Sequence, residues 1–298
     1  MRIGYFADGP WGHNAFKKII EDKSLEIVFL MVRYDSQDSV LIELAREYNI
    51  PLLLHPNVNS DEFLEMVAKF DADLFVSMSF NQIFRRRFIE LPKYGTINCH
   101  AGKLPFYRGR NILNWALIND ETEFGITVHY VDEGIDTGDI ILQKTYPITD
   151  DDDYGTLLEV AYTECADILY DAIKLIQNGD VKRISQSSIS EVGLYCGMRR
   201  QGDEVLNWNQ TSRDIFNFVR AVTLPGPCAR TDVNGEECII EKVSLISNCP
   251  IYKGIPGQVL KKEKGVLFVK TLDSYIVVEK YKCNKNIKVG DRFTCRMF

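Results

Sequence analysis

The chain has 298 residues, of which 45% are hydrophobic and 26% charged, and a net charge of −7. That length suits about two domains, and the apolar fraction is enough to bury real cores without disulfide or metal staples. No run approaches about 18 consecutive apolar residues, so no membrane span is expected. The opening MRIGYFADG lacks the basic start, apolar middle and small-residue cleavage site of an export signal, so a cytoplasmic location is expected.

Eight cysteines are present, but none forms a C-x-x-C pair or lies near a histidine at ligand spacing. In a cytoplasmic chain that pattern predicts free thiols, with neither disulfides nor a bound metal. Charge is uneven along the sequence. From Arg199 to Phe298 there are 17 Lys+Arg and 11 Asp+Glu, a net of +6, so the remainder carries −13. A basic C-terminal part fits either contact with an anion or solvated lysines on a small β domain.

In chain order, Arg2–Phe6 reads as an apolar strand and Trp11–Ile20 has helical spacing. Leu25–Met31 is a buried-strand run, Ser39–Tyr48 is helical, and a helix over Asp61–Phe70 follows an Asn/Ser cap region. Ala72–Met78 is another strand, Ile83–Leu91 a helix and Gly95–Cys99 a strand. This alternation predicts an α/β fold with a Rossmann-like, doubly wound, mainly parallel sheet. No G-x-G-x-x-G follows the first strand, so nothing supports a nicotinamide cofactor.

Two strands, Gly125–Val131 and Asp139–Tyr146, flank a turn rich in Gly and Asp. The acidic run Asp150–Asp153 suits a helix N-terminus. Tyr154–Gln177 is a long amphipathic helix capped by Gly179. Residues 181–200 are polar, Ser-rich and aperiodic. They read as a linker between a catalytic domain over 1–180 and a second domain over 201–298. That second domain opens with a helix at Thr211–Val222, ended by Pro225 and Gly226. Short strands follow at Cys238–Leu245, Gly257–Lys261, Val266–Thr271, Tyr275–Lys280 and Arg292–Met297. They predict a small, OB-like β-barrel.

The chemistry is concentrated in Gly95–Pro147. Asn98 and His100 lie two apart at the end of an apolar strand, so their side chains share one side. Functional groups of open α/β sheets collect at such carboxyl ends. An irregular loop (AGKLPFYRGR) follows at once, and the turn DEGIDTGD over 132–139 supplies four carboxylates. No activated Ser or Cys accompanies the set, which disfavours a covalent nucleophile. The set suits acyl transfer to an amine. A neutral histidine takes the amine proton, a carboxylate orients the ring and raises its pKa, and an asparagine amide donates to the oxyanion.

This stretch resembles the folate-dependent formyltransferase family, which includes glycinamide ribonucleotide transformylase, methionyl-tRNA formyltransferase and the sugar N-formyltransferases. The resemblance rests on Asn98-Cys99-His100, then Leu104-Pro105-Phe106-Tyr107-Arg108-Gly109, then Gly125-Ile126-Thr127 and Asp136-Thr137-Gly138. It covers about half the chain well. It implies that Asn98 stabilises the oxyanion, that His100 is the general acid/base and that Asp136 raises the histidine pKa and positions the ring. It also implies 10-formyltetrahydrofolate as co-substrate. The folate would lie against Gln82, Ile83 and Phe84, largely through backbone, with Arg110 and the turn from Asp132 to Asp136 nearby. Asp132, Glu133 and Asp139 otherwise serve as turn formers.

Three acceptors compete. Glycinamide ribonucleotide enzymes generally end after the catalytic domain, whereas this chain continues for about a hundred residues. Methionyl-tRNA enzymes carry a C-terminal barrel but also a basic insertion after the second strand, where this chain reads VRYDSQDSV. An acidic chain without that arm is poorly suited to a large polyanion. YRGRNILNW resembles the loop of the sugar enzymes, which brings in Tyr107, Arg108, Asn114 and Trp115. Trp11, in the loop after the first strand, stacks on a base or sugar or else packs in the fold. The expected function is therefore N-formylation of a dTDP- or UDP-linked amino-dideoxy sugar for lipopolysaccharide or other glycan synthesis, with methionyl-tRNA formylation as the alternative. A hydrolase releasing formate through the same triad would usually carry an N-terminal regulatory domain. The expected partners are the nucleotide-linked sugar and a second copy of the chain, with no membrane and no nucleic acid.

Overall fold

A computed structural model describes residues 1–295, which divide into two compact units. The first comprises 1–109, 124–146 and 159–196, and the second comprises 110–123, 147–158 and the chain from 197 onward. In chain order the elements are β1 (Arg2–Ala7), α1 (Gly9–Glu21), β2 (Glu26–Met31), α2 (Ser39–Glu47), β3 (Leu52–Leu53), α3 (Asp61–Ala68), β4 (Leu74–Met78), α4 (Arg86–Ile89), β5 (Thr96–His100), β6 (Arg108–Gly109), α5 (Ile112–Ile118), β7 (Glu123–Tyr130), β8 (Ile140–Pro147), α6 (Tyr154–Asn178) and β9 (Tyr195–Cys196). Then come α7 (Ser212–Val222), β10 (Ala229–Val233), β11 (Glu236–Ser244), β12 (Val259–Glu263), β13 (Val266–Lys270), β14 (Tyr275–Cys283) and β15 (Phe293–Thr294).

The first unit is a seven-stranded sheet in the order β3-β2-β1-β4-β5-β7-β8. Strands β1 to β5 run parallel, and β7 lies antiparallel to β5. The chain leaves β1 in one direction through β2 and β3, then returns to β4 on the other side of β1. That reversal is the switch point of a doubly wound sheet, and the carboxyl ends of β1, β4 and β5 open beside it. All of β4, and all of β2 beyond Glu26, is buried, as parallel strands covered on both faces require. On one face Phe6 meets Phe29, Phe75, Phe84 and Phe88 edge-on at 5.2–5.5 Å, the favoured aromatic geometry. Local caps set the helix starts. The Ser60 hydroxyl accepts from Phe63 N at the head of α3, and Asp38 accepts from Leu41 N at the head of α2.

The second unit holds α5, α7 and an antiparallel six-stranded sheet in the order β12-β13-β14-β11-β10-β15. The sheet curls until its edges meet, where Phe293 N donates to Gly257 O and Val259 N to Asp291 O, each at 2.8 Å. Its core gathers Trp208, Ile215, Val219, Ile240, Val269 and Phe293. Helix α7 enters this core behind a complete capping box between Thr211 and Asp214.

Several expectations change. The helix expected over Ile83–Leu91 shrinks to the single turn of α4, because Phe84 is drawn into the aromatic core, stacked 4.5 Å from Phe88. Strands β3 and β10 and helix α5 were not anticipated. Of the strand expected at Arg292–Met297, Phe293–Thr294 is present and residues 296–297 lie outside the described residues. The stretch read as a linker is tied down over much of its length. Gln186 is 2% exposed, and β9 pairs in parallel with β6 within the first unit. Among the described residues, no helix is long and apolar enough to cross a membrane.

Candidate active site

The site begins with the register between β5 and β7. Asn98 lies opposite His129, and His100 opposite Thr127. Pairing therefore sets Asn98 and His100 on β5 beside a second histidine and a threonine. Thr127 ties down the loop after β5: its hydroxyl donates to Gly102 O at 2.6 Å and accepts from Gln143 Nε2 at 2.8 Å, while the same Gln143 nitrogen donates to Leu104 O at 2.9 Å. The Gly-x-Thr motif of the sequence is thus a fastener for the loop that covers the histidine.

His100 is buried, and its Nε2 lies 2.7 Å from the backbone oxygen of Tyr107. A carbonyl can only accept, so a proton sits on Nε2. Gly102 closes that side: a Cβ there would meet His100 Nε2 and Tyr107 O at 2.5 Å. The nitrogen that can take up or release a proton is therefore Nδ1, which stands 3.7 Å from Asp136 Oδ2. That separation exceeds a hydrogen bond, so Asp136 faces Nδ1 as a nearby negative charge and not as a hydrogen-bond partner.

Asp136 is held from several sides. Its Oδ2 accepts from Gly109 N at 2.9 Å, and its Oδ1 lies 3.4 Å from His129 Nε2. Burial pushes its carboxyl pKa up, but the charge of His100, the bond and charge of His129 and the Gly109 amide outweigh burial and hold it well below the usual carboxylate range. The site therefore carries a fixed negative charge beside His100 at neutral pH.

His129 escaped the sequence reading. Its Nδ1 contacts Tyr130 O at 2.7 Å, and its Nε2 lies 3.4 Å from both Asn98 Nδ2 and Asp136 Oδ1. Neutral, this nitrogen accepts from the Asn98 amide; protonated, it donates to Asp136. Either way one Asn98 N–H remains free for a substrate oxygen. The signal was available, since His129 follows Thr127 by two residues and so shares its strand face, but only the register reveals its partner.

The other expected residues scatter. Tyr107 has a buried side chain and a left-handed backbone (φ 57°), and it serves the site through its carbonyl. Arg108 is engaged with Gln186 Oε1, at 3.0 and 2.7 Å. Gln82 accepts from Val58 N and donates to His55 O, so it braces the loop after β4. Ile83 is 65% exposed and Phe84 is in the core, and the Ile83 carbonyl accepts from Asn59 Nδ2 at 2.9 Å. Asp132 Oδ1 accepts from Gly134 N and Thr137 Oγ1, which makes it a turn former. Trp11 packs edge-on against Tyr162 at 4.6 Å. Arg110 and Trp115 fall in the second unit, where Arg110 Nη1 contacts Met198 Sδ and Trp115 Nε1 donates to Gly197 O. Asn114 is buried there and donates to Ala221 O at 2.6 Å, a packing role. Among the described residues, no group of three or more His, Cys, Asp or Glu is placed to hold a metal ion.

Comparison with known proteins follows the same lines. A family model described as formyl transferase matches residues 23–173, and one described as formyl transferase, C-terminal domain, matches 199–295. The methionyl-tRNA formyltransferase of Fusobacterium nucleatum subsp. nucleatum is 32% identical over 293 residues, spanning 95% of this chain and 92% of the relative. Among solved structures, WlaRD, a sugar 3N-formyl transferase crystallised with dTDP and 5-N-formyl-THF, superposes with a TM-score of 0.69 at 22% identity. That match covers 96% of this chain and 99% of the other. An N-formyltransferase from Helicobacter canadensis, complexed with folinic acid and dTDP-3-aminofucose, gives 0.67 at 20% identity over 94% and 99%. At such identities these two structures speak for the fold.

Proposed function

The chain belongs to the formyl transferase family, and on that premise we propose that it moves a formyl group from 10-formyltetrahydrofolate to the primary amine of a dTDP- or UDP-linked amino sugar. The observation that carries the transfer step is the cluster of Asn98, His100 and Asp136 at the end of β5. As the amine adds to the formyl carbon, the carbonyl oxygen gains charge and the free Asn98 N–H donates to it. His100 Nδ1 takes the amine proton, and the Asp136 carboxylate stabilises the resulting imidazolium. The same proton then passes to the folate nitrogen as its bond to the formyl carbon breaks, leaving His100 neutral for the next cycle. The cluster fits a formyl donor: it offers one free donor for an oxygen, one open nitrogen for a proton and, nearby in sequence, an exposed apolar Ile83 in the loop assigned to the folate. The reading carries a cytoplasmic enzyme of glycan synthesis.

The choice of a small acceptor rests on the loop after β2. Its arginine, Arg33, is bound to Asp8 and Asp35, so the loop presents no free positive arm toward a polyphosphate. Methionyl-tRNA is the second reading, favoured by the 32% identity over nearly the full chain. The two separate in one assay. Purified protein with 10-formyltetrahydrofolate is offered dTDP- and UDP-linked amino sugars and, in parallel, charged initiator tRNA. Formylated sugar is the expected product. Efficient formylation of the tRNA with no sugar turnover overturns the acceptor assignment and leaves the transfer chemistry standing.

A further inference from the structure

Gln186 lies 50 residues beyond Asp136, in the stretch read from sequence as a linker and outside both regions matched by the family models. It is 2% exposed, and all the hydrogen bonds its amide supports are made. Its Nε2 donates to Asp136 O and to Gly138 O, both at 2.8 Å. Its Oε1 accepts from Arg108 Nε and Nη2. The amide orientation is unambiguous, because a guanidinium only donates and carbonyls only accept.

These bonds close a ring. Arg108 and Gly109 form β6; Arg108 reaches Gln186 through its side chain, Gln186 reaches the backbone of Asp136, and the Asp136 side chain returns to Gly109 N. The preceding residue, Tyr107, supplies the carbonyl that holds His100. Asp136 also has a left-handed backbone (φ 54°), a conformation that needs outside support in a residue other than glycine. Carbonyls on either side of Thr137 are pinned by this one amide.

We infer that Gln186 is a positioning residue for the transfer reaction: it fixes the backbone of Asp136 so that the carboxylate keeps its distance from His100. It touches no reacting atom and acts through Asp136, so the inference rests on the catalytic reading above.

The test is a double-mutant cycle on the full chain with Gln186→Met, which keeps length and removes the bonds, and Asp136→Asn. Small displacements of a catalytic group cost up to about a hundredfold, so Gln186→Met should lower kcat roughly tenfold or more while KM for both substrates stays within about threefold. In the Asp136→Asn background the same substitution should have little further effect, as groups acting in series do. Gln186→Asn, a milder change, should give an intermediate loss if the methionine variant does not fold. An activity-independent readout is the NMR titration of the Asp136 carboxyl, whose depressed pKa should rise toward the usual carboxylate range in Gln186→Met. Unchanged kcat and titration in folded Gln186→Met, or full multiplication of the two losses, overturns the inference. Wild type that transfers formyl to neither amino sugars nor methionyl-tRNA, with the titration still shifted, overturns the function and leaves the positioning role.

Discussion

At the scale of single residues, the site is a problem in where two protons sit. Tyr107 O and Gly102 commit one His100 nitrogen and wall it in, so proton exchange is confined to the nitrogen facing Asp136. His100→Asn or Asn98→Ala should lower turnover by about a hundredfold or more, and wild-type turnover in purified His100→Asn would sink the mechanism. Asp136→Asn should also move the acid limb of the rate profile to lower pH. The interaction that depresses the Asp136 pKa is mutual, and its loss disfavours the imidazolium. An unmoved limb would reduce Asp136 to a turn residue. The same shift bears on stability. A depressed carboxylate contributes stability fully present above its unfolded value of about 4 and lost as pH falls through its lower folded value. The difference in unfolding free energy between wild type and Asp136→Asn should therefore hold steady above about pH 4 and shrink below it, measured by denaturant titration across that range.

At the scale of elements, the two-residue pair of β6 and β9 does more than its length suggests. Gly109 sits at φ 97°, and a Cβ there would meet Cys196 O at 2.3 Å, while its amide holds Asp136. Gly109→Ala should cost at least tenfold in kcat and lower Tm as well, since the clash and the strained backbone act on both. A variant with normal kcat would show that this ribbon tolerates movement. In the sequence, period two marks Asn98 and His100, and the turn over 132–139 marks four carboxylates, among which only the family resemblance singles out Asp136. The sequence hid Gln186 because its partners lie 48 to 78 residues away, and no periodicity announces a buried polar residue in a Ser-rich stretch. Helix α5 was missed because RGRNILNW reads as one loop, whereas the helix begins within it at Ile112. The C-terminal strands other than β10 were legible from alternation and turn residues; the closure of the sheet through Gly257 and Phe293 was not, since it depends on tertiary register.

At the scale of the whole chain, charge separates the acceptors. The net −7 and the paired Arg33 favour a small ligand, whereas the +6 stretch from Arg199 onward favours a polyanion. Much of that positive charge is already engaged: Lys280 and Lys282 both bind the buried Glu241, and Lys270 is wrapped by the carbonyls of Tyr252, Thr271 and Ser274. A sugar enzyme should show KM changing by only a few-fold between about 50 and 200 mM salt, against roughly a thousandfold or more expected for a protein neutralising many phosphates. A steep salt slope on the true acceptor would reverse the assignment. The dispersal of the site along the chain also sets its timing during synthesis. At about 5–20 residues per second, Gln186 leaves the ribosome roughly 3–10 s after Asp136. A nascent chain thus carries the proposed catalytic residues before it carries Gln186, and premature termination just past α6 would yield a polypeptide with Asn98, His100 and Asp136 in its sequence and no Gln186 amide to bond the backbone of Asp136.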